Sequence, residues 1–466
     1  MTKQQPITYL LNVILRWGTD SDDIESTSKN AFEKNCVFVK PTHIRTITIE
    51  SSLLFPCFYG SMTILDTREL SMFKNMMDMP FVYGSLSCYS VSNVVSDFDA
   101  VDPKTDNKNR FIEKFIITSK SITETEDPSS LLITLNFVSA DYVNFISSLQ
   151  DYSTFTNSES TKPANEIISS LFSLANIDKG RVDEKSFVIT NDIQFITTPN
   201  SSFLDASNYI YRKIFDYDKF GTVSDKDYVR IIYNNAEQKY KLWCFKKTAV
   251  ASNFETEKFK SLDDMVLNQL SISVNTKTEY IKPVATAVYG TSGNLSQLFN
   301  SLGDKEYFWF DYLENTFDTA KSEKNPLNED LFPSIKTKED NFVNTFKNTF
   351  TKMSFNKELS FNTSSSCYRQ NVSLYDMFTD VIFNSSYMTI HTNCHLGYNV
   401  GNNIRLFFNG SLETPYEGMD GIYLITGVRH TMIKNANGLL FYSDLSVTRT
   451  HMIENSVKSS QFKAKS

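Results

Sequence analysis

The sequence predicts a β-rich α+β fold spread over several domains, and three observations carry that expectation. The 466 residues include 37 Phe and 23 Tyr against three Trp, and such aromatics suit pleated, half-buried surfaces. Apolar and polar residues alternate at period two near both ends of the chain, the signature of half-buried strands. Asn and Ser are abundant, which favours turns and polar strand faces over long helices. The length allows about three or four domains of ordinary size.

Residues 1–150 read as the strands of a small antiparallel barrel. ITYLLNVILRW (7–17) is expected to be a strand and not a secretory leader, because it alternates and lacks a small-residue cleavage site. A polar, acidic loop (18–34) precedes a strand marked by Ile44, Ile47 and Ile49. FPCFYG (55–60) reads as an apolar corner bent at Pro56, and GSMTILDTREL (60–70) alternates Met62 and Ile64 before Asp66. In FVYGSLSCYSVSNVV (81–95), Val82, Leu86 and Cys88 share one face, with Tyr83, Tyr89 and Val91 on the other. A mobile polar loop, DAVDPKTDNKN, then leads to RFIEKFIITSK and SLLITLNFVSA, two further strands.

The period changes at about residue 151. TKPANEIISSLFSLANI (161–177) places Ile167, Ile168, Leu171, Phe172 and Leu174 at helical spacing, with Pro163 near the first turn. A second helix is expected from about Phe203. A hairpin should then pair Val229, Ile231 and Tyr233 with Cys244, Leu242 and Tyr240 across NNAEQ. Residues 151–260 are thus an α+β module. QLSISVNTKTEYIKPVATAVYG (269–290) reads as a strand pair. Residues 291–374 are polar and read as partly helical around LSQLFNSL, YFWFDYLENTF and NFVNTFKNTF. Strand signals return from DMFTDVIF (376–383) and end in a hairpin, EGMDGIYLITGVRHTMIKNANGLLFYSDLSVTRT (417–450). Strict alternation there places Tyr423, Ile425, Gly427 and Arg429 on one face. Ile422, Leu424, Thr426, Val428 and His430 fall on the other. NANG (435–438) supplies residues that tolerate a tight turn.

Catalytic chemistry is thinly represented. HTNCH (His391, Cys394, His395) is the one cluster of soft ligands, and it lacks the second couplet a tetrahedral zinc site needs. A polar strand end with a buried thiol is the plainer reading. Asp66 with Glu69, or Asp263 with Asp264, could form an acid–base pair, yet 54 acidic residues make such pairs inevitable. No nucleophile elbow, P-loop or dinucleotide fingerprint is present. The aromatic stripe FWFDYLENTF (308–317) suits a core or a subunit contact better than a sugar platform. A net charge of −8 gives no cationic footprint for nucleic acid, although DNA could pass such a surface without sticking. No apolar run approaches the roughly 20 residues that span a bilayer. The six scattered cysteines are expected to be reduced and buried. A binding or assembly protein, with no enzymatic activity, no cofactor and no metal, is the expected class.

Three passages, in order, resemble the baseplate or tail hub proteins of tailed bacteriophages, relatives of the base of type VI secretion spikes. The first is ESSLLFPCFYGSMTILDTRELSMFKNMMDMPFVYGSLSCYSVSN (50–93), although Ser85 and Leu86 follow Gly84 where the hubs carry an acidic residue. The second runs from LLITLNFVSADYVNFISSLQDYS through ANEIISSLF to VRIIYNNAEQKYKLW, with Phe203 and Leu204 standing where a proline is usual. The third is the closing hairpin, where Gly421, Tyr423, Ile425, Val428, His430, Tyr442, Leu445 and Arg449 match. The resemblance implies two tail-tube-like antiparallel β-barrels, at 1–150 and at 261–290 with 375–455. The module (151–260) would lie between them, 291–374 would be a partly helical insertion and 456–466 a flexible tail. It also implies a homotrimer that joins the tail tube protein to a central spike protein among other baseplate proteins. Assembled in the host cytoplasm, the virion tail would let viral DNA pass through its lumen without specific binding. Asp66, Gly84, Tyr423, Arg429, His430, Tyr442 and Arg449 are the interface residues the resemblance suggests. A carbohydrate- or receptor-binding tail protein and a tail-borne cell-wall hydrolase are the alternatives.

Overall fold

A computed structural model describes residues 8–18, 36–67, 76–91, 110–126, 129–149, 162–190, 192–193, 201–215, 228–235, 237–245, 265–268, 281–290, 305–311, 316–322, 352–353, 375, 379, 387–393, 396–407, 421–435 and 438–449. The first strands are β1 (Thr8–Gly18), β2 (Cys36–Val39), β3 (Ile44–Ser52), β4 (Phe55–Thr67), β5 (Phe81–Val91), β6 (Arg110–Glu124) and β7 (Ser130–Ser139). They are ordered β3-β4-β7-β6-β5-β1-β2, every neighbouring pair antiparallel. Alternation drives the layout: Leu11, Val13 and Leu15 of β1 and Val82, Leu86 and Cys88 of β5 are buried on one side. The strand β2 carries no sequence signal of its own, being a short edge at the end of the ladder. Pro56 does not make a corner. The chain turns at Leu53–Leu54, with Ser52 facing Phe55, and Pro56 sits where the β3–β4 register slips. A proline is tolerated at such a bulge because a ladder bond is already missing there.

The module contains α1 (Asp141–Ile146), α2 (Ala164–Leu174) and α3 (Phe203–Ile214) with the short pair β8 (Lys162–Pro163) and β9 (Asp192–Ile193). Its hairpin is β10 (Val229–Asn234) and β11 (Lys239–Cys244). The apolar residues of α2 face inward as their spacing requires, Ala164, Ile167, Ile168, Leu171 and Phe172 being buried. A capping box starts α3: the Ser202 hydroxyl accepts from the Asp205 amide while the Asp205 carboxylate accepts from the Ser202 amide. The two helices and α1 meet at an aromatic knot, with Phe145 stacked on Phe203 at 4.4 Å and Phe172 at 4.9 Å from Phe203. The hairpin pairs Val229 with Cys244, Ile231 with Leu242 and Tyr233 with Tyr240, as its alternation requires.

The remaining strands are β12 (Met265–Asn268), β13 (Ile281–Gly290), β14 (Lys305–Asp311), β15 (Thr316–Ser322), β16 (Lys352–Met353), β17 (Tyr387–Asn393), β18 (Asn403–Phe407), β19 (Gly421–Asn435) and β20 (Gly438–Arg449). Residues 305–311 and 316–322 correct the helical reading of YFWFDYLENTF: they are two strands paired antiparallel, Tyr307 facing Ala320 and Phe310 facing Phe317, with β16 alongside. The physical reason is composition: a run dense in Phe, Tyr and Trp loses less in a pleat than in a helix. LSQLFNSL, NFVNTFKNTF, the loop DAVDPKTDNKN and the 456–466 tail lie outside the described residues.

Strands β18-β12-β13-β17-β20-β19 form a ladder whose ends meet, since β18 pairs with both β12 and β19. Five strands of this set, β18-β19-β20-β17-β13, repeat the order β5-β6-β7-β4-β3 of the first set, all antiparallel. The sixth differs, β12 lying parallel to β18 where β1 is antiparallel to β5. Antiparallel pairing of β19 with β3 joins the two sets into one sheet of 13 strands.

Candidate assembly interface

The joint between the two strand sets is built on the closing hairpin. Along β19, residues Gly421–Leu424 pair with β18; beyond a register slip between Ile425 and Gly427, residues Gly427–Ile433 pair with Thr46–Ser52 of β3. The slip also corrects the strict alternation expected of this strand. Tyr423, Ile425, Val428, His430 and Met432 are all buried, and Val428 and His430 oppose Leu445 and Ser443 of β20. One extra residue at Thr426 shifts the phase, so the inward set changes from odd to even numbers along the strand.

The candidate interface residues divide by burial. Asp66, Gly84, Tyr423 and His430 are covered by their own chain and pack in its interior. Gly84 lies on the inward face of β5 under the Phe115 ring; an added Cβ would lie 2.1 Å from Phe115 Cζ. Tyr423 is fully buried opposite Arg449, a residue described here through its backbone pairing alone. His430 shares a hydrogen bond with Ser443 Oγ at 2.8 Å through Nδ1, and burial pushes its pKa down to about 4. Arg429 is exposed, and its Nε donates to Glu50 Oε1 at 2.9 Å across the β19–β3 joint. Tyr442 is half-buried with its ring 4.5 Å from His391, and His391 Nδ1 lies 2.7 Å from Asp444 Oδ1. Of the soft ligands in HTNCH, His391 is among the described residues and Cys394 and His395 lie outside them, and no group of three metal-ligating side chains occurs among the described residues. Cys36, Cys57, Cys88 and Cys244 are not joined in disulfides.

A second joint, which sequence reasoning missed, ties the module to the first strand set. The Arg181 guanidinium reaches Glu113 on β6 and Asp141 at the start of α1, both at 2.9 Å. Tyr233 donates to Glu113, and Tyr240 donates to Asp141 at 2.7 Å. Burial pushes the Glu113 carboxyl up to about 8; Arg181 opposes that shift and Asp141 adds to it. The five side chains come from separate elements, so no spacing in the sequence could announce them. Beyond them, Gln238 Nε2 donates to the Ile112 carbonyl at 2.7 Å. The module grips the second set too: Trp243 Nε1 donates to Gly401 O at 2.9 Å, and the Asn235 amide donates to Asn399 Oδ1 at 2.8 Å. Gly401 has φ +83°, and a Cβ there would lie 2.6 Å from Trp243 Cδ1, so glycine is required twice over. All these groups are occupied by one another. The arrangement locks elements together.

No protein-family model matches the chain, and no curated protein matches it. Solved structures do. The 43 kDa tail protein of prophage MuSo2 from Shewanella oneidensis is similar with a TM-score of 0.50 and 9% identity, over 96% of this chain and 100% of that one. The tail protein from Neisseria meningitidis MC58 is similar with a TM-score of 0.45 and 9% identity, over 94% of this chain and 96% of that one. A chain of the Francisella PdpA–VgrG complex in its lidded form has a TM-score of 0.44 and 10% identity, over 94% of this chain and 53% of that one. At such identity the likeness is one of fold. The chain has the fold of a prophage tail protein along nearly its whole length.

Proposed function

We propose that this chain is a structural, non-enzymatic virion protein: one subunit of a homotrimeric tail or baseplate hub that joins the tail tube to a central spike. In this reading each strand set is a tube-like barrel. Three chains bring six such units into a ring, the hexameric tube meeting one side and a trimeric spike the other. The acidic balance suits a lumen that DNA passes without sticking, since like charges repel. The observation that carries the proposal is the β19–β3 ladder, which holds two strand sets of like order edge to edge within one chain. A protein whose task is to present a continuous wall needs such a joint; a hydrolase does not. The tail-protein fold supports the same reading. Residues 291–374, with their three-stranded sheet, would decorate the second barrel.

Native mass spectrometry of the purified full chain tests this. A particle of about 160 kDa, three copies of a 53.4 kDa chain, is expected. A monomer at every concentration, alone and mixed with tail-tube protein, would overturn the hub. Cell-wall clearing in a zymogram would overturn the non-enzymatic part.

A further inference from the structure

The two strand sets share more than their order, because their irregularities coincide. The β6–β7 ladder slips between Ile117 and Ser119, which face Phe137 and Asn136. The β19–β20 ladder slips between Ile425 and Gly427, which face Val447 and Ser446. If these slips are superimposed, Asn136 corresponds to Ser446. Across the next ladder Asn136 faces Ser61, and Ser446 faces Thr389. Counting along β4 and β17 then matches Thr63 with His391 and Ile64 with Thr392. A second slip falls at that very place in both sets: Ile44 and Thr46 face Ile64 and Thr63, while Val284 and Thr286 face Thr392 and His391. Two irregularities two ladders apart coincide only when the sets share one register, so residues can be matched one to one.

In the second set the slip marks where β19 leaves β18 and takes β3 as its neighbour. In the first set β6 pairs with β5 up to Ile116, then slips in the same way. Past that slip Ser121–Glu124 pair with β7 on one side and, among the described residues, with no strand on the other. The consequence shows in burial. Ile122 is 39% exposed, whereas its counterpart His430 is 1% exposed beneath the joint. Strand β13, the counterpart of β3, has the matching vacancy. It pairs with β12 only through Ile281–Pro283, and Val284–Gly290 have β17 on one side and no strand among the described residues on the other.

We propose that a second copy of this chain fills both vacancies. The end of β6 pairs antiparallel with β13 of the next copy: Ser121 opposite Gly290, Ile122 opposite Tyr289, Thr123 opposite Val288 and Glu124 opposite Ala287. This register is the β19–β3 register carried over by the residue matching, with Arg429–Glu50 mapping to Ser121–Gly290 and Thr431–Thr48 to Thr123–Val288. Each copy offers a β6 end and a β13 edge, so the contact is heterologous and closes into a ring when the rotation permits. The number of copies in that ring rests on the trimeric reading above; the strand register does not.

Opposed Cα atoms in an antiparallel pair lie about 4.5–5.5 Å apart, a span that a disulfide bridges. The assembled full chain carrying Thr123→Cys with Val288→Cys is oxidised and run on a non-reducing gel beside each single variant and beside an offset pair, Thr123→Cys with Ala287→Cys. Covalent multimers from the aligned pair, about tenfold above the offset pair, are expected. If a particle of trimer mass forms but the aligned pair links no better than the offset pair, this joint is wrong while the hub reading survives. If the chain stays monomeric and nothing links, both fall. Hydrogen exchange on the unsubstituted chain gives an independent answer: amides of 121–124 and 287–290 should gain protection on assembly. Unprotected amides there in an assembled particle overturn the joint.

Discussion

His430 and Glu113 are buried ionisable groups whose pH responses run in opposite directions. The folded-state pKa of His430 is about 4 against an ordinary 6.5, so the neutral ring's stabilising contribution is complete above pH 6.5. It is lost as pH falls through 4, by about 3 kcal/mol in all. The thermal midpoint of the chain should therefore drop steeply between those values, and His430→Gln should flatten that drop. Thermal unfolding followed by circular dichroism reads both. Glu113 is shifted upward to about 8 from 4.5, so the fold favours its protonated form. Its contribution is present below pH 4.5 and is lost as pH rises through 8. Glu113→Gln should change little at pH 5 and raise the midpoint relative to the parent at pH 9. At Gly84 the argument is steric: Gly84→Ala drives a methyl into the Phe115 ring and should cost about 1–3 kcal/mol in chemical denaturation.

At the scale of one strand, the bulge in β19 decides which side chains are core. On one face of the strand the buried residues Tyr423, Ile425, Val428, His430 and Met432 are spaced two, three, two, two, while Leu424 and Thr431 are buried on the other. The step of three is printed in the sequence; strict alternation read past it. Deleting one residue past the bulge, Arg429, should turn His430 and Met432 outward, so the chain should aggregate or fail to fold. Thr426→Ala, which keeps the extra residue, should stay within about 1 kcal/mol of the parent. Soluble yield and urea midpoints distinguish the two. Arg429→Ala removes an exposed ion pair with Glu50 and should cost less than about 1 kcal/mol, because solvent screens such pairs. The hairpin is thus held to β3 mainly by its backbone ladder and by the burial of Thr431 and Met432.

For the whole molecule the question is how the module and the two strand sets move as one. Apolar packing is continuous through all three, from Leu11 to Val447, and the Arg181 cluster adds a polar lock between β6, α1 and the hairpin. Arg181→Ala would remove the guanidinium that Glu113 and the half-buried Asp141 share, and losing such charge-assisted hydrogen bonds costs about 1.5–3 kcal/mol. The loss should concentrate on the module. Hydrogen exchange at Val229–Cys244 should speed up before that of β3, β4 and β7, giving a second unfolding step. A single cooperative loss of all protection would show that the cluster is not the lock.

The sequence by itself determined the elements: the strands of the first set, the helices at 164 and 203 and the pairing of the β10–β11 hairpin all follow from apolar spacing, caps and turn residues. Local rules suffice there because each element's inward face is marked by its own side chains. They failed at YFWFDYLENTF, where an aromatic stripe read as helix belongs to two antiparallel strands, and at β2, an edge too short to carry a period. Only the tertiary structure decided the rest. The β19–β3 joint couples residues nearly the whole chain apart, and the Arg181 cluster draws one residue from each of five places. Asp66, Gly84, Tyr423 and His430 prove to be interior because other elements cover them. Burial and pairing between distant segments are properties of the assembled sheet, and no local pattern encodes which edge will meet which.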